Sequence, residues 1–199
     1  WAAQHFLLNK PRKWLTSGGQ GTMGFGLPAA MGAQAAFRDK LVLCIAGDGS
    51  IQMNMQEMAT AMVNKLPVKT FIMNNHFHGM VRQWQDLFYE GRHAQSRLHA
   101  VDFEKLAEAN GCEGLPVEKK DDVRPAIERA MIVTDRPTVT LKRIEFRMKI
   151  IDLNSGFLQI TAQIFSHSLG QGRHQNTLTF FGSQFNFLNQ IVNLPFCGP

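Results

Sequence analysis

The chain has 199 residues, a formal net charge of +5 and three widely spaced cysteines. This length can bury a hydrophobic core without disulfides, and the cysteine pattern fits neither a disulfide framework nor a zinc motif. Its basic residues are dispersed, unlike those of a nucleic-acid-binding face, and no apolar stretch reaches the about 18 residues of a membrane span. We therefore expect a soluble protein of a reducing, cytoplasmic compartment, with no signal peptide and with no nucleic acid or membrane as partner. A small polyanionic ligand such as a diphosphate is compatible with the positive charge.

Residues 41–75 contain two apolar runs with a helical pattern between them. The run 41–47 (LVLCIAG) predicts a strand that is buried on both faces, and 67–75 (PVKTFIMNN) predicts a second one. The intervening apolar residues recur at helical spacing, which predicts one amphipathic helix over 51–65 with Ile51, Met55, Met58, Ala59 and Met62 on its apolar face.

The chain continues with three helical segments and one strand. Residues 79–89 and 121–131 have helical patterns, 102–111 has an Asp that can cap its start and a Gly that can end it, and 137–144 is typical of a strand. Repeated alternation of strands and helices predicts an α/β fold, a parallel sheet with helices on both faces.

The composition changes near residue 148. The last 49 residues hold one of the 21 Lys and Arg and one of the 16 Asp and Glu, but they contain seven Phe and eleven Asn or Gln. No period of a helix or a strand persists there. We therefore divide the chain into a domain of residues 1–148 and an atypical tail of residues 149–199, which we expect to be poorly ordered. The tail is interpreted as an extension without a selected function, and an interaction segment is the alternative.

Polar residues follow both apolar runs. Asp48 lies between Gly47 and Gly49 at the end of the first run, and the second run ends at Asn74 and Asn75. Neighbouring parallel strands end at the same edge of a sheet, where ligands of such folds bind, so we expect Asp48 and Asn75 to lie side by side. A carboxylate and an amide oxygen are hard ligands that suit Mg²⁺ or Ca²⁺ and do not suit Zn²⁺.

The residues after Asp48 suit an anion. Gly49 and Ser50 stand at the start of the next predicted helix, where backbone N–H groups and the helix dipole favour a phosphate, and the glycines let the backbone approach it. The predicted site is thus a diphosphate held through Mg²⁺. Taken singly, Asp48 is more typical of a helix cap and the two asparagines of a turn; their joint position at two strand ends favours the metal site.

A Gly-Asp-Gly followed by Asn-Asn at this spacing resembles the thiamine-diphosphate (ThDP) motif. The segments LTSGGQGTMGFGLPAAMGAQ (15–34) and NNHFHGMVRQWQDLFYEGR (74–92) resemble the large catalytic subunit of acetolactate synthase, in its C-terminal ThDP-binding domain. The resemblance extends from residue 1 to about residue 144. It implies that Asp48, Asn75 and the backbone carbonyl of Phe77 bind Mg²⁺ and that Gly47, Gly49 and Ser50 hold the diphosphate.

Further roles are implied by the same resemblance. The carbonyl of Gly21 would bind the aminopyrimidine, and Met23 would wedge the cofactor into a V shape, although on its own Met23 is more typical of a core residue. Met80, Val81 and Trp84 match the stretch that lines the substrate channel, and they can share one helical face. Without the resemblance, Trp84 is typical of a core aromatic.

Two positions depart from the pattern of the family. Gln20 stands where Leu is common and His78 where Leu or Gln is common, which puts the details of access to the cofactor in doubt. His76 and His78 are more typical of a polar surface than of a metal site, because no third ligand accompanies them.

The resemblance implies an enzyme that joins pyruvate to pyruvate or 2-ketobutyrate with loss of carbon dioxide, in the biosynthesis of branched-chain amino acids. It implies a homodimer and a small regulatory subunit, in the cytoplasm, or in a plastid if the source is a plant or alga. The catalytic Glu and the FAD of the full-length parent belong to other domains, so no residue of this chain is assigned to them, and we expect the chain alone to be nearly inactive. The alternatives are a domain of another ThDP-dependent carboligase or oxidase, and a non-catalytic dimerisation or regulatory module.

Overall fold

The computed structural model of the protein describes residues 2, 8 and 10–143. The predicted tail, 149–199, lies outside the described residues. No helix in the described part combines the length and hydrophobicity that a bilayer crossing requires.

The described residues form one four-stranded parallel sheet. The strands stand in the order β1-β2-β4-β3, with the bounds Leu43–Gly47 (β1), Lys69–Asn74 (β2), Glu113–Val117 (β3) and Thr138–Arg143 (β4). In register, Leu43 of β1 faces Lys69 of β2 and Gly47 faces Met73. The ends of β1 and β2 therefore lie level with each other, as the sequence predicted.

Besides a short 3-10 helix at Lys120–Asp122, the following α-helices accompany the sheet in the described part of the chain: Gly26–Ala36 (α1), Asp48–Ile51 (α2), Glu57–Val63 (α3), Gly79–Phe88 (α4), Phe103–Ala109 (α5) and Val123–Ile132 (α6). Asp102 caps α5 as predicted, because its Oδ1 accepts a hydrogen bond from the N–H of Lys105 at 3.1 Å. After α5 the chain turns at Gly111, which has a left-handed φ of +77°.

Helices pack on both faces of the sheet, which confirms the predicted architecture. On one face, residues of α1, α3 and α5 form an apolar cluster with Cys44, Ile72 and Val139 of the strands. On the other face, Val123 and Ile127 of α6 pack against Phe71 of β2 and Val117 of β3.

Two details of the prediction for residues 41–65 are wrong. Strand β1 alternates between buried and more exposed residues instead of being buried on both faces, because it is the edge strand of the described sheet. The helix predicted over 51–65 is interrupted: α2 ends at Ile51 and α3 begins at Glu57. Across the break, Met53 and Asn54 donate to the carbonyls of Ser50 and Ile51, bonds of the tighter three-residue type.

The break also changes which residues are buried. Ile51 and Met58 lie in the core as predicted, whereas Met55 is exposed. Ala59, also predicted to face the core, is exposed as well, and Ala61 of α3 is buried in its place. Strand β3 was not predicted, since its sequence EGLPV contains a glycine and a proline and no apolar run.

Candidate cofactor site at the carboxyl edge of the sheet

Asp48 and Asn75 lie next to each other at the ends of β1 and β2. The Oδ2 atom of Asp48 accepts a hydrogen bond of 2.8 Å from the N–H of His76, the residue directly after Asn75. The same N–H lies 3.2 Å from Oδ1 of Asn74. The structure thus brings the Asp48 carboxylate to the residue that directly follows Asn75, although 27 positions separate Asp48 from Asn75 in the chain.

Asp48 is a buried carboxylate, with 3% of its surface exposed. Burial raises its pKa above the ordinary value, while hydrogen bonds from the backbone N–H groups of His76 and Gly49 act in the opposite direction. His76 supplies its N–H from a left-handed backbone conformation with φ of +60°. Such a conformation is unfavourable for a residue with a side chain, and it is typical of functional loops.

The loop after Asn75 is held by a second loop. Phe77 forms an isolated antiparallel bridge with Arg97. The bonds of this bridge run from His78 N to Ser96 O and from Leu98 N to His76 O, each 2.8 Å long, and they leave the N–H of Phe77 to donate to Asn75 Oδ1 at 3.0 Å. In an extended residue the N–H and C=O point to the same side of the chain, so the geometry directs the Phe77 carbonyl toward the side of Asn75.

Gly47, Gly49 and Ser50 stand beside Asp48, where β1 passes into α2. A Cβ added to Gly47 would meet no atom within 4 Å, whereas one added to Gly49 would lie 2.9 Å from His78 Nδ1. Ser50 Oγ accepts a hydrogen bond of 3.0 Å from the N–H of Gly24. A hydroxyl that accepts one bond can still donate its own proton, so Ser50 can also bind an anion.

The loop with Gly21 and Met23 lies against this segment. Gly21 has a left-handed φ of +64° and donates its N–H to the carbonyl of Ser17, and a Cβ added to it would meet no atom within 4 Å. Met23 is 48% exposed, so it is not the core residue that its type alone suggests. Gly24 ties the loop to α2 through its hydrogen bond to Ser50, so the residue after Met23 lies beside Ser50.

The predicted channel residues lie on α4, which follows the loop with Phe77. Met80, Val81 and Trp84 are 66%, 48% and 59% exposed, so Trp84 is not a core aromatic. The ring of Trp84 makes an edge-to-face contact with that of Phe88, with centroids 6.5 Å apart. The helix begins next to Asn75, because a Cβ added to Gly79 would lie 3.5 Å from Asn75 Nδ2.

Two further groups of contacts were not predicted. Asn54 Nδ2 donates to the carbonyl of Gly24 at 2.9 Å. On α4, the guanidinium of Arg82 lies 4.0 Å from the centroid of the Phe77 ring, and its Nε lies 3.9 Å from Asp86 Oδ2. His93 Nε2 in turn lies 2.5 Å from Asp86 Oδ1. Apart from the Arg82–Asp86 pair within α4, these contacts join separate segments of the chain, and no sequence pattern predicts them.

The donor set fits a hard cation with a bound diphosphate. A carboxylate and an amide oxygen at one sheet edge, with a carbonyl directed to the same side, are oxygen ligands of the kind that Mg²⁺ takes. Within the described ranges no group of three or more His, Cys, Asp and Glu side chains could hold a metal. Gly49 and Ser50 add the start of a helix and a hydroxyl for the phosphate oxygens.

These features define a cofactor-binding domain, and comparison with known proteins identifies its family. Residues 1–141 match the family described as thiamine pyrophosphate enzyme, C-terminal TPP binding domain. The chain therefore belongs to the thiamine pyrophosphate enzymes, which confirms the resemblance on which the sequence interpretation depended.

Its relatives are more specific. The chain is 52% identical over 144 residues to the acetolactate synthase of Mycobacterium avium, covering 70% of this chain and 23% of that protein. It is 46% identical over 136 residues to the acetolactate synthase large subunit of Haemophilus influenzae, covering 68% of this chain and 24% of that protein. The chain thus spans about a quarter of the length of these relatives.

A solved structure shows the same fold. The thiamine diphosphate-dependent 4-hydroxybenzoylformate decarboxylase of Rhodococcus jostii RHA1 matches with a TM-score of 0.59 and 34% sequence identity, over 63% of this chain and 24% of that one. The chain is similar to both kinds of enzyme, and its identity to the acetolactate synthases is higher.

Proposed function

We propose that this chain is the part of an acetolactate synthase large subunit that binds the diphosphate of ThDP through Mg²⁺. Asp48, Asn75 and the carbonyl of Phe77 would bind the metal, and Gly47, Gly49 and Ser50 would bind the diphosphate. One observation carries the proposal: the hydrogen bond of 2.8 Å between Asp48 Oδ2 and the N–H of His76 holds the carboxylate against the loop that begins at Asn75.

The electrostatics of the site support a divalent cation. Burying the Asp48 carboxylate without a counter-charge is unfavourable and raises its pKa, and a cation beside it would offset that cost. A diphosphate in turn supplies the oxygens that an octahedral Mg²⁺ still needs after three protein ligands. The cation would thus offset the negative charge of Asp48, and the diphosphate would offset the remaining positive charge of the cation.

The remaining residues would shape the cofactor and the entrance. The carbonyl of Gly21 would accept a hydrogen bond from the aminopyrimidine, and Met23 would support the bend of the cofactor. Met80, Val81 and Trp84 would line the channel through which the ketoacids arrive. Bound ThDP supplies the electron sink for decarboxylation, and these residues bind, orient and exclude water.

The reaction proposed for the whole enzyme joins pyruvate to pyruvate or 2-ketobutyrate with loss of carbon dioxide, in branched-chain amino-acid biosynthesis. The high identity to acetolactate synthases supports this choice. The catalytic Glu, the FAD, the second copy of a homodimer and a small regulatory subunit would come from outside this chain, in the cytoplasm or a plastid. We therefore expect the chain alone to bind cofactor and to form no acetolactate.

The experiment is cofactor binding by the 199-residue chain, followed through its melting temperature. Saturating ThDP with Mg²⁺ should raise the melting temperature, because a ligand that binds only the folded state stabilises it. ThDP with EDTA should not, and neither should Asp48→Asn with both ligands present. Asp39→Asn is the matched control, because Asp39 lies on the surface in an ion pair with Lys40. A rise that survives both the EDTA and the Asp48→Asn change would refute the proposed metal site.

A further inference from the structure

Gly24 is bound through both of its backbone polar groups by side chains of one distant segment. Its N–H donates to Ser50 Oγ at 3.0 Å, and its carbonyl accepts from Asn54 Nδ2 at 2.9 Å. These partners stand 26 and 30 positions away in the chain. The loop before α1 is therefore positioned by the segment that follows Asp48.

The contact is close as well as hydrogen-bonded. Gly24 has a left-handed φ of +86°, and a Cβ added to it would lie 2.4 Å from Asn54 Nδ2 and 2.8 Å from Met53 Cβ. Such distances leave no room for a side chain, so the loop can approach Asn54 only because residue 24 is glycine.

The interruption between α2 and α3 directs Asn54 toward the loop. Asn54 donates its N–H to the carbonyl of Ile51 at 3.2 Å and accepts from the N–H of Glu57 at 3.1 Å, so it stands in a tight turn. Its side chain is thereby available for a contact with Gly24. The break in the predicted helix thus lies where Asn54 bonds to Gly24.

We propose that Asn54 is a positioning residue that fixes Met23 for contact with the organic part of the cofactor. Met23 directly precedes Gly24 and is 48% exposed, so core packing does not hold its side chain. The position of Met23 depends instead on the neighbouring backbone of Gly24, which Ser50 and Asn54 bind. Ser50 bonds to the loop and would also bind the diphosphate, whereas Asn54 bonds to the loop through the carbonyl of Gly24. This inference rests on the proposed function, since it assumes that ThDP occupies the site.

The test compares two probes on the full chain, Mg²⁺–ThDP and Mg²⁺–pyrophosphate, by calorimetric titration. The affinity for pyrophosphate measures the contacts of the diphosphate alone. The ratio of the ThDP affinity to the pyrophosphate affinity measures what the contacts of the organic part of ThDP add to binding. We expect the unmodified chain to prefer ThDP by roughly tenfold or more. Asn54→Leu should reduce this ratio to near one while changing the pyrophosphate affinity by less than about twofold.

Three further single variants and one combined variant accompany this measurement. Asn64→Leu is the matched control, because Asn64 Nδ2 donates to the carbonyl of Thr60 at 2.8 Å in an exposed position, and its loss should leave the ratio unchanged. Met23→Ala should reduce the ratio as Asn54→Leu does, and combining the two changes should add little, because both act through the same contact. Asn54→Ala is measured in parallel in case Leu prevents folding, and pyrophosphate binding itself shows that the site has formed.

The outcomes separate the inference from the proposed function. If Asn54→Leu and Asn54→Ala keep the full preference for ThDP, Asn54 does not position Met23, and the diphosphate site stands. An unmodified chain that binds pyrophosphate as tightly as ThDP, or a folded Asn54 variant that loses pyrophosphate as well, also overturns the inference. If the unmodified chain binds neither probe, the proposed function fails together with it.

Discussion

Replacing Gly24 by alanine tests whether the loop before α1 depends on its close approach to Asn54. The new Cβ would stand 2.4 Å from Asn54 Nδ2 and 2.8 Å from Met53 Cβ, at a φ of +86°. A left-handed backbone costs a residue with a side chain about 1–2 kcal/mol. The displaced side chains would weaken the hydrogen bonds of Gly24, each worth about 1 kcal/mol. We therefore expect Gly24→Ala to reduce the free energy of unfolding by about 2–4 kcal/mol.

The assay is urea denaturation of the full chain, with Gly32→Ala as the matched control. Gly32 lies within α1, and a Cβ added to it would meet no atom within 4 Å. This second change should stabilise the protein by about 0.5–1 kcal/mol, because glycine is unfavourable in a helix. Removing the Asn54 side chain in the Gly24→Ala background should recover part of the loss, since the shortest contact disappears. A Gly24→Ala variant as stable as the unmodified chain would refute the reasoning.

Two other regions give further predictions. Lys69 is 3% exposed and donates to the carbonyl of Val133, and burial lowers its pKa to about 8, below the 10.5 of an exposed lysine. Between pH 8 and 10.5 the unfolded chain then binds more protons than the folded one, so the free energy of unfolding should rise with pH in this window, by up to about 3 kcal/mol. Lys69→Met should remove this rise. If urea denaturation gives both proteins the same dependence of the free energy of unfolding on pH, the prediction is wrong. The guanidinium of Arg82 lies 4.0 Å from the centroid of the Phe77 ring. A double-mutant cycle of Arg82→Leu and Phe77→Leu, measured by urea denaturation, should therefore give a coupling energy of about 0.5–2 kcal/mol. A coupling energy of zero would show that the contact does not contribute to stability.

The architecture of the sheet could be predicted because its central elements have clear patterns. Strand β2 is buried at nearly every position, so its apolar run is unbroken. Strand β3 could not be predicted, because packing against a neighbouring helix determines part of its sequence. A Cβ on Gly114 would lie 2.9 Å from the carbonyl oxygen of Glu104, so this position requires glycine for close packing, against the preference of a strand.

The helix over 51–65 was predicted in one piece because its spacing of apolar residues is that of a helix. The structure breaks it at residues 52–56, where Asn54 bonds to Gly24. A tertiary contact between segments 30 positions apart leaves no periodic signal in either segment. Met53 and Met55 are exposed, which shows that this stretch does not face the core although its apolar residues suggest that it does.

The adjacency of Asp48 and Asn75 could be predicted because it follows from strand pairing alone. Because Gly47 pairs with Met73 in two parallel strands, Asp48 must come level with Asn74 and close to the residue that follows it. The support around them could not be predicted, since it depends on loop conformations. His76 has a left-handed backbone in the loop after Asn75, and Phe77 forms its bridge with Arg97 of the second loop, and neither conformation follows from a periodic pattern of the sequence.

The most direct test of the proposed site is the position of the metal in crystals of the chain grown with ThDP and Mn²⁺ in place of Mg²⁺. Anomalous scattering locates Mn²⁺ independently of the protein coordinates. One peak within about 2.5 Å of a carboxylate oxygen of Asp48, the amide oxygen of Asn75 and the carbonyl oxygen of Phe77 is the predicted result. Cofactor bound without a peak between Asp48 and Asn75, or a peak held by other residues, would contradict it.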